Sequence, residues 1–213
     1  FEPIAHTIIY GGSTIVLLGA LFLVIFGFRE LIQSAGKTEN ASFGRKVQAL
    51  LHDPLQFGAL WQMVFMNFVV SGPGIYMAVN LENIFRVWPL REERVILTGH
   101  WHVLSGLIAT IILLVYADLA GLKGRVRQIF GWSIILFSDL AFAAALIMML
   151  KPLLVTPWQE EALLKLTTLL MDLGLGVVLI ALAALMGWRL LDLFKKHGRW
   201  KRELQDPKME VTS

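Results

Sequence analysis

Five long apolar blocks dominate the chain, at residues 7–28, 57–79, 95–119, 128–150 and 163–191. Each runs for ~20 residues or more, which as a helix rising ~1.5 Å per residue covers the ~30 Å apolar layer of a bilayer. The apolar residues are continuous rather than striped, so no block keeps a broad polar face for water. A helix satisfies its own backbone hydrogen bonds, as a chain crossing hydrocarbon must. The pattern therefore predicts an all-α integral membrane protein of about five transmembrane helices. Charged residues agree, at 16% of the chain against about a quarter in soluble domains.

The connecting segments predict an orientation. Segments 29–56 and 120–127 and the tail beyond 191 hold most of the basic residues, among them Arg45, Lys46, Lys123, Arg125, Arg127 and a cluster from Lys195 to Arg202. The other side has only Arg86, Arg91, Arg94, Lys151 and Lys165. Excess Lys and Arg mark the cytoplasmic face, so the amino terminus is expected outside and the carboxyl terminus in the cytoplasm. Trp88, Trp101 and Trp158 then fall near the outer boundary, with Trp188 and Trp200 near the inner one. Residues 1–194 read as a single helical bundle, and 195–213 as a polar cytoplasmic tail. The first block lacks a basic leader and a small-residue cleavage site, so it is expected to be a retained span. The chain opens at Phe1 without methionine, as a mature form or a fragment would. The expected location is the inner (cytoplasmic) membrane of the cell, crossed several times.

Two function classes are excluded early. With no cysteine, the chain has no disulfide, thiolate metal site or covalent c-type haem attachment of its own. The net charge of +3 is sorted by membrane side and does not point to nucleic acid.

Segment 98–106, Thr-Gly-His-Trp-His-Val-Leu-Ser-Gly, carries the strongest chemical signal. An imidazole at membrane depth is costly without a partner. His100 and His102 stand two residues apart, ~200° around a helix, so they cannot clasp one ion and must face different neighbours. Gly99 and Gly106 remove side chains beside them, which lets a flat macrocycle or another helix come close. Haem is the expected ligand, with an ordinary interfacial hydrogen-bonded pair as the bland alternative. A second axial ligand is sought on the same side, where His6 lies. From His6 to Arg29 is ~35 Å of helix and from His102 to Lys123 ~32 Å, so the two rings are expected at similar depth. Met77 is the reserve ligand, although a packing role suits it as well. His52 and His197 sit among charged residues and read as ordinary solvated side chains. Asn67 and the run Ser71-Gly72-Pro73-Gly74 predict a loosened helix in the second block, either a packing kink or a contact with a cofactor edge.

The stretch from Asn67 to Gly106 resembles part of the catalytic subunit of the haem-copper oxidase superfamily, most closely nitric oxide reductases and C-type oxidases. A helix with a glycine-rich outer half, Ser71-Gly-Pro-Gly-Ile-Tyr76, leads into a loop with Asn80, Asn83 and Phe85. A helix opening on Gly99-His100-Trp-His102 follows. The resemblance implies His100 as ligand of a high-spin haem, His102 as ligand of a low-spin haem, and His6 as the low-spin haem's other ligand. Departures from the family are plain. The chain has far fewer helices, no outer histidine cluster for copper or non-haem iron, and no arginine pair for haem propionates. Arg86, Arg91 and Arg94 are the candidate substitutes.

The expected function is thus a haem b-binding subunit of a membrane respiratory oxidoreductase, holding one haem or two. It would carry electrons near the outer face rather than form a complete enzyme. Other subunits of such a complex, a cytochrome c-type electron carrier and the lipid bilayer are the expected partners. Two rivals stand beside it: the haem-bearing piece of a split nitric oxide reductase or terminal oxidase, and a haem-free membrane anchor or assembly subunit. Asp139 and Asp172, within the fourth and fifth blocks, are expected either to serve a proton path or to hydrogen-bond a neighbour such as Asn67, Ser71 or Thr168.

Overall fold

The computed structural model describes residues 2–34, 42–87, 90–151 and 160–194. All regular structure among them is helical: α1 (Glu2–Ser34), α2 (Phe43–His52), α3 (Pro54–Val64), a π-helical turn (Phe65–Val70), α4 (Ser71–Val79), α5 (Leu81–Val87), α6 (Leu90–Leu119), α7 (Gly124–Met149) and α8 (Glu160–Phe194). Five stretches are long and apolar enough to cross a membrane: Ile4–Gln33, Pro54–Val79, Arg94–Leu119, Gly124–Met149 and Glu160–Phe194. They coincide with the five blocks and run past them, because charged and polar residues at the block ends continue the helices. The tail from 195, with His197 and Trp200, lies outside the described residues, as do Trp88 and Trp158.

Two short helices, α2 and α5, were not expected. The α2 helix places Val47 and Leu50 one turn apart, with Arg45 and Lys46 before them and Gln48 between. It is an amphipathic turn at the bundle end. Asp53 ends α2 and starts α3, its carboxylate accepting from the backbone N–H of Leu55 at 3.2 Å. That is an N-cap satisfying a donor the helix leaves open, followed by Pro54 where no donor is needed.

The loosened second block resolves into the π turn. Pro73 has no N–H to give the preceding turn. The Ser71 backbone N–H reaches Met66 O, as does its hydroxyl at 3.0 Å. Asn67 bonds locally to Met63 O at 2.8 Å. The disruption is thus closed by the segment's own side chains.

The bundle is held tightest between α7 and α8, with α3 on α6 and α6 on α7 next. Gly174 explains the first contact: a Cβ there would run into Phe137 O and Ala141 of α7. One core cluster joins Leu55, Leu113, Leu114, Ile134 and Leu185; a second, at the other end, joins Met77, Ile84, Ile96, Leu146 and Met149. The α1 helix packs on α2, α3 and α4 at the bundle's edge. Replacing Gly174 with leucine forces α8 off α7, and thermal unfolding in detergent should show a loss of about 1–3 kcal/mol.

Candidate functional site

Helical period puts His100 and His102 on opposite faces of α6, and each lines a different hollow. The two hollows decide what each ring can do.

His102 lines a groove of about 540 Å³ walled by α6, α7 and α8. Its α6 side carries Arg94, Thr98, Gly99, His102, Val103 and Gly106; α7 gives Phe142, Ala145 and Met148; α8 gives Met171 and Leu175. The volume is in the ~300–1,000 Å³ range of cofactor pockets. His102 Nδ1 lies 2.7 Å from Thr98 O. A carbonyl only accepts, so Nδ1 carries the proton and Nε2 of the neutral ring keeps its lone pair. A carbonyl bond on the far nitrogen is how ligating histidines are oriented. Gly106 lets the Phe142 ring lie against α6, since a Cβ there would meet Cε1 at 2.7 Å. Gly99 adds no side chain to the wall. Arg94 lies two turns above His102 on the same face, at the groove's mouth.

His100 lines a smaller cleft of about 360 Å³ between α1, α4 and α6, with Ile9, Ser13, Leu17, Ser71, Gly74, Ile75 and Leu104. The ring is buried. Its Nδ1 has no hydrogen-bond partner. Gly74 presses on the other edge: a Cβ at 74 would come within 2.8 Å of Cε1 and 2.9 Å of Nε2. The α4 backbone therefore closes on that nitrogen and leaves no clear plane for a macrocycle. A haem held by His100, one of the two sites expected, does not fit this geometry.

His6 is half-buried near the start of α1. It shares a helix face with Ile9, Ser13 and Val16, which line the His100 cleft. No α1 residue lines the His102 groove. The structure thus does not bring His6, expected to share an iron with His102, to the groove that His102 lines.

The other candidates divide. Met77 is buried against Ile84, Ile96 and Met149 as core. Arg86 is exposed and pairs with Glu82 at 3.0 Å along its own helix. The Arg91 side chain lies outside the described ones. Lys151 is buried and ion-paired with Glu160. Two groups missed in the sequence are Met148 and Met171. Antiparallel alternation of spans gave the signal, because the end of α7 and first half of α8 must return to the level of His102.

Of the two acids, Asp139 hydrogen-bonds a neighbouring helix, one of the expected readings, through residues other than Asn67, Ser71 or Thr168. Asp139 accepts from Trp61 Nε1 and from Gln62 Nε2, both at 2.7 Å. Gln62 is fully buried and also donates to Ser138 Oγ at 3.0 Å. Asn67 and Ser71 are engaged within their own helix, and Asp172 is exposed on α8. Asp139→Ala strands two donors, so we expect about 1–3 kcal/mol lower stability in thermal unfolding; Asp139→Asn, which keeps an acceptor, should lose less.

Among the described residues, no three of His, Asp or Glu gather as ligands for a bare metal ion. Comparison with protein families, with characterised proteins and with solved structures gives no match to this chain.

Proposed function

We propose that the chain is a multi-pass membrane protein holding one haem b in the groove between α6, α7 and α8, and that it carries electrons within a respiratory oxidoreductase complex. The single observation that carries this reading is the state of His102: its Nδ1–H is fixed on Thr98 O, which leaves the Nε2 lone pair for a ligand in a cofactor-sized, largely apolar groove. A lone imidazole is too few ligands for a bare ion but enough for an iron that brings its own equatorial nitrogens.

When bound, haem would supply a one-electron couple. The chain's residues set its conditions. His102 would hold the iron through Nε2, and Met148 or Met171 on the facing helices would offer a thioether, a ligand pair that raises the potential. Phe142, Val103 and Leu175 exclude water. Arg94 at the mouth offers a guanidinium to a propionate carboxylate. The resemblance of residues 67–106 to haem-copper oxidases supports the haem and the His102 role. Basic residues place the amino terminus outside in this reading, with the groove toward the outer face of the inner membrane.

A visible spectrum tests it. Protein purified from membranes in mild detergent should show the paired bands of reduced low-spin haem b, extractable without breaking a covalent bond. A folded sample without those bands sinks the reading and leaves an anchor or assembly role.

A further inference from the structure

At the end opposite the histidines, α2 carries three different strips. Successive residues turn ~100° around a helix, so each strip has its own direction. Ala49 is buried, with Leu50 half-buried beside it, where α2 meets α1 and α3. Phe43 and Leu51 form an apolar edge that the bundle leaves open, and Phe43 is 83% exposed. Arg45, Gln48 and His52, also exposed, form a polar edge roughly 130° further round. A helix with one flank on the protein, an apolar edge and a basic edge suits the boundary between hydrocarbon and headgroups.

The charge around this helix is one-sided. Gln128 of α7 donates to His52 O at 2.7 Å, which brings the start of α7 against the end of α2. Arg45 and Lys46 on α2 therefore share one end of the bundle with Lys123 and Arg125. None of the four has a carboxylate partner among the described residues. The two acids at the junction, Asp53 and Asp118, are both held by Arg127. Unpaired cations thus stand beside an open apolar edge, and the two features together select a partner. A soluble phosphate would meet the cations and leave Phe43 without a role. An uncharged lipid would meet Phe43 and leave the cations unpaired. The membrane reading puts this end at the cytoplasmic leaflet, whose surface potential is negative.

We propose that α2 and the turn between α6 and α7 form a docking site for an anionic phospholipid. Arg45, Lys46, Lys123 and Arg125 hold the phosphate, and the acyl chains lie against Phe43 and Leu51. The proposal rests on the membrane reading but not on haem, because the His102 groove lies toward the other end of α6.

Native mass spectrometry of the detergent-purified full chain tests it, by titration with phosphatidylglycerol or with phosphatidylcholine of the same acyl chains. Phosphatidylglycerol should bind about tenfold tighter. Arg45→Gln with Lys46→Gln, or Lys123→Gln with Arg125→Gln, should each cut that preference about threefold to tenfold. Phe43→Ser should weaken both lipids by about threefold or more. Lys165→Gln, an exposed lysine paired with Glu161 near the other end, should change nothing. Circular dichroism checks folding, and if one double variant fails to fold the other decides. Four results would overturn the proposal. They are equal affinity of the wild type for the two lipids, an unchanged preference in the folded double variants, wild-type lipid binding in Phe43→Ser, and displacement of the lipid by soluble glycerol phosphate or an acidic peptide as readily as by more phosphatidylglycerol. Absent haem with the lipid preference intact would sink the haem reading alone.

Discussion

His102→Ala should leave a folded protein with essentially no haem b. The imidazole is exposed in its groove and makes one hydrogen bond, to Thr98 O of its own helix. Truncating it removes no core contact, so the unfolding temperature of the haem-free protein should hardly move. Haem binding depends on it far more steeply. Apart from Arg94 and Thr98, neither of which offers iron a lone pair to match an imidazole's, the other lining groups are apolar, and neither Met148 nor Met171 offers more than a weak neutral thioether. Reduced-minus-oxidised spectra of wild type and variant, normalised to protein, measure this directly: occupancy should fall below about a tenth of wild type, or ~1.4 kcal/mol or more in affinity at matched haem. His6→Ala and His100→Ala should keep their haem, since those rings face the other side of α6. Full occupancy in His102→Ala, or loss in His6→Ala instead, would reject the assignment. Alanine at Met148 or Met171 should separate the thioethers: the one that ligates turns the low-spin bands high-spin when removed.

How much of this was legible in the sequence follows from which physical rule governs each feature. The five long apolar helices were legible because unbroken apolar runs of ~20 residues are too long for strands and satisfy their backbone as helices. The opposed faces of His100 and His102 were legible because a two-residue step on a helix fixes the angle. Neighbour identity was not. Which helix covers which face of α6 depends on close approaches, such as Gly174 letting α8 settle against Phe137 and Ala141, and Gly74 bringing α4 onto His100. Single glycines in apolar runs do not announce their partners, so depth alone matched His6 to His102, whose groove no α1 residue lines. Asp139 illustrates the same limit. Its depth implied a hydrogen-bond partner, but choosing Trp61 and Gln62 needed the packing of α3 on α7. The α2 helix was missed for another reason: its ten residues are too short and too charged to stand out between two spans.

Arg127→Ala should be the most damaging single change to the bundle's stability. The guanidinium is 17% exposed and lies between two carboxylates, Asp53 and Asp118. Its Nη2 bonds Asp53 Oδ2 at 2.6 Å and its Nε reaches Asp53 Oδ1 at 3.1 Å, a forked geometry that only arginine provides. The same side chain donates to Leu122 O at 3.3 Å, in the turn between α6 and α7. Asp53 meanwhile caps α3, and Asp118 accepts from Gln56 at 3.3 Å. One arginine therefore ties α3, α6 and α7 together at the end opposite the histidines. Removing it leaves two partly buried carboxylates facing each other without a counter-charge. Breaking a buried pair costs ~3–5 kcal/mol. Asp118 is a third exposed, so screening lowers the figure here to about 2–4 kcal/mol. In thermal unfolding of the detergent-solubilised protein that is a drop of roughly 5–15 °C. Arg127→Lys should recover part of it, because an ammonium restores the charge without the fork. Asp53→Asn should fall between, since the amide oxygen still caps α3 while the ion pair is gone. A shift under about 2 °C in Arg127→Ala would mean the carboxylates are solvated rather than held, and the cluster would then be a surface feature instead of the clamp that sets how α3 meets α6 and α7.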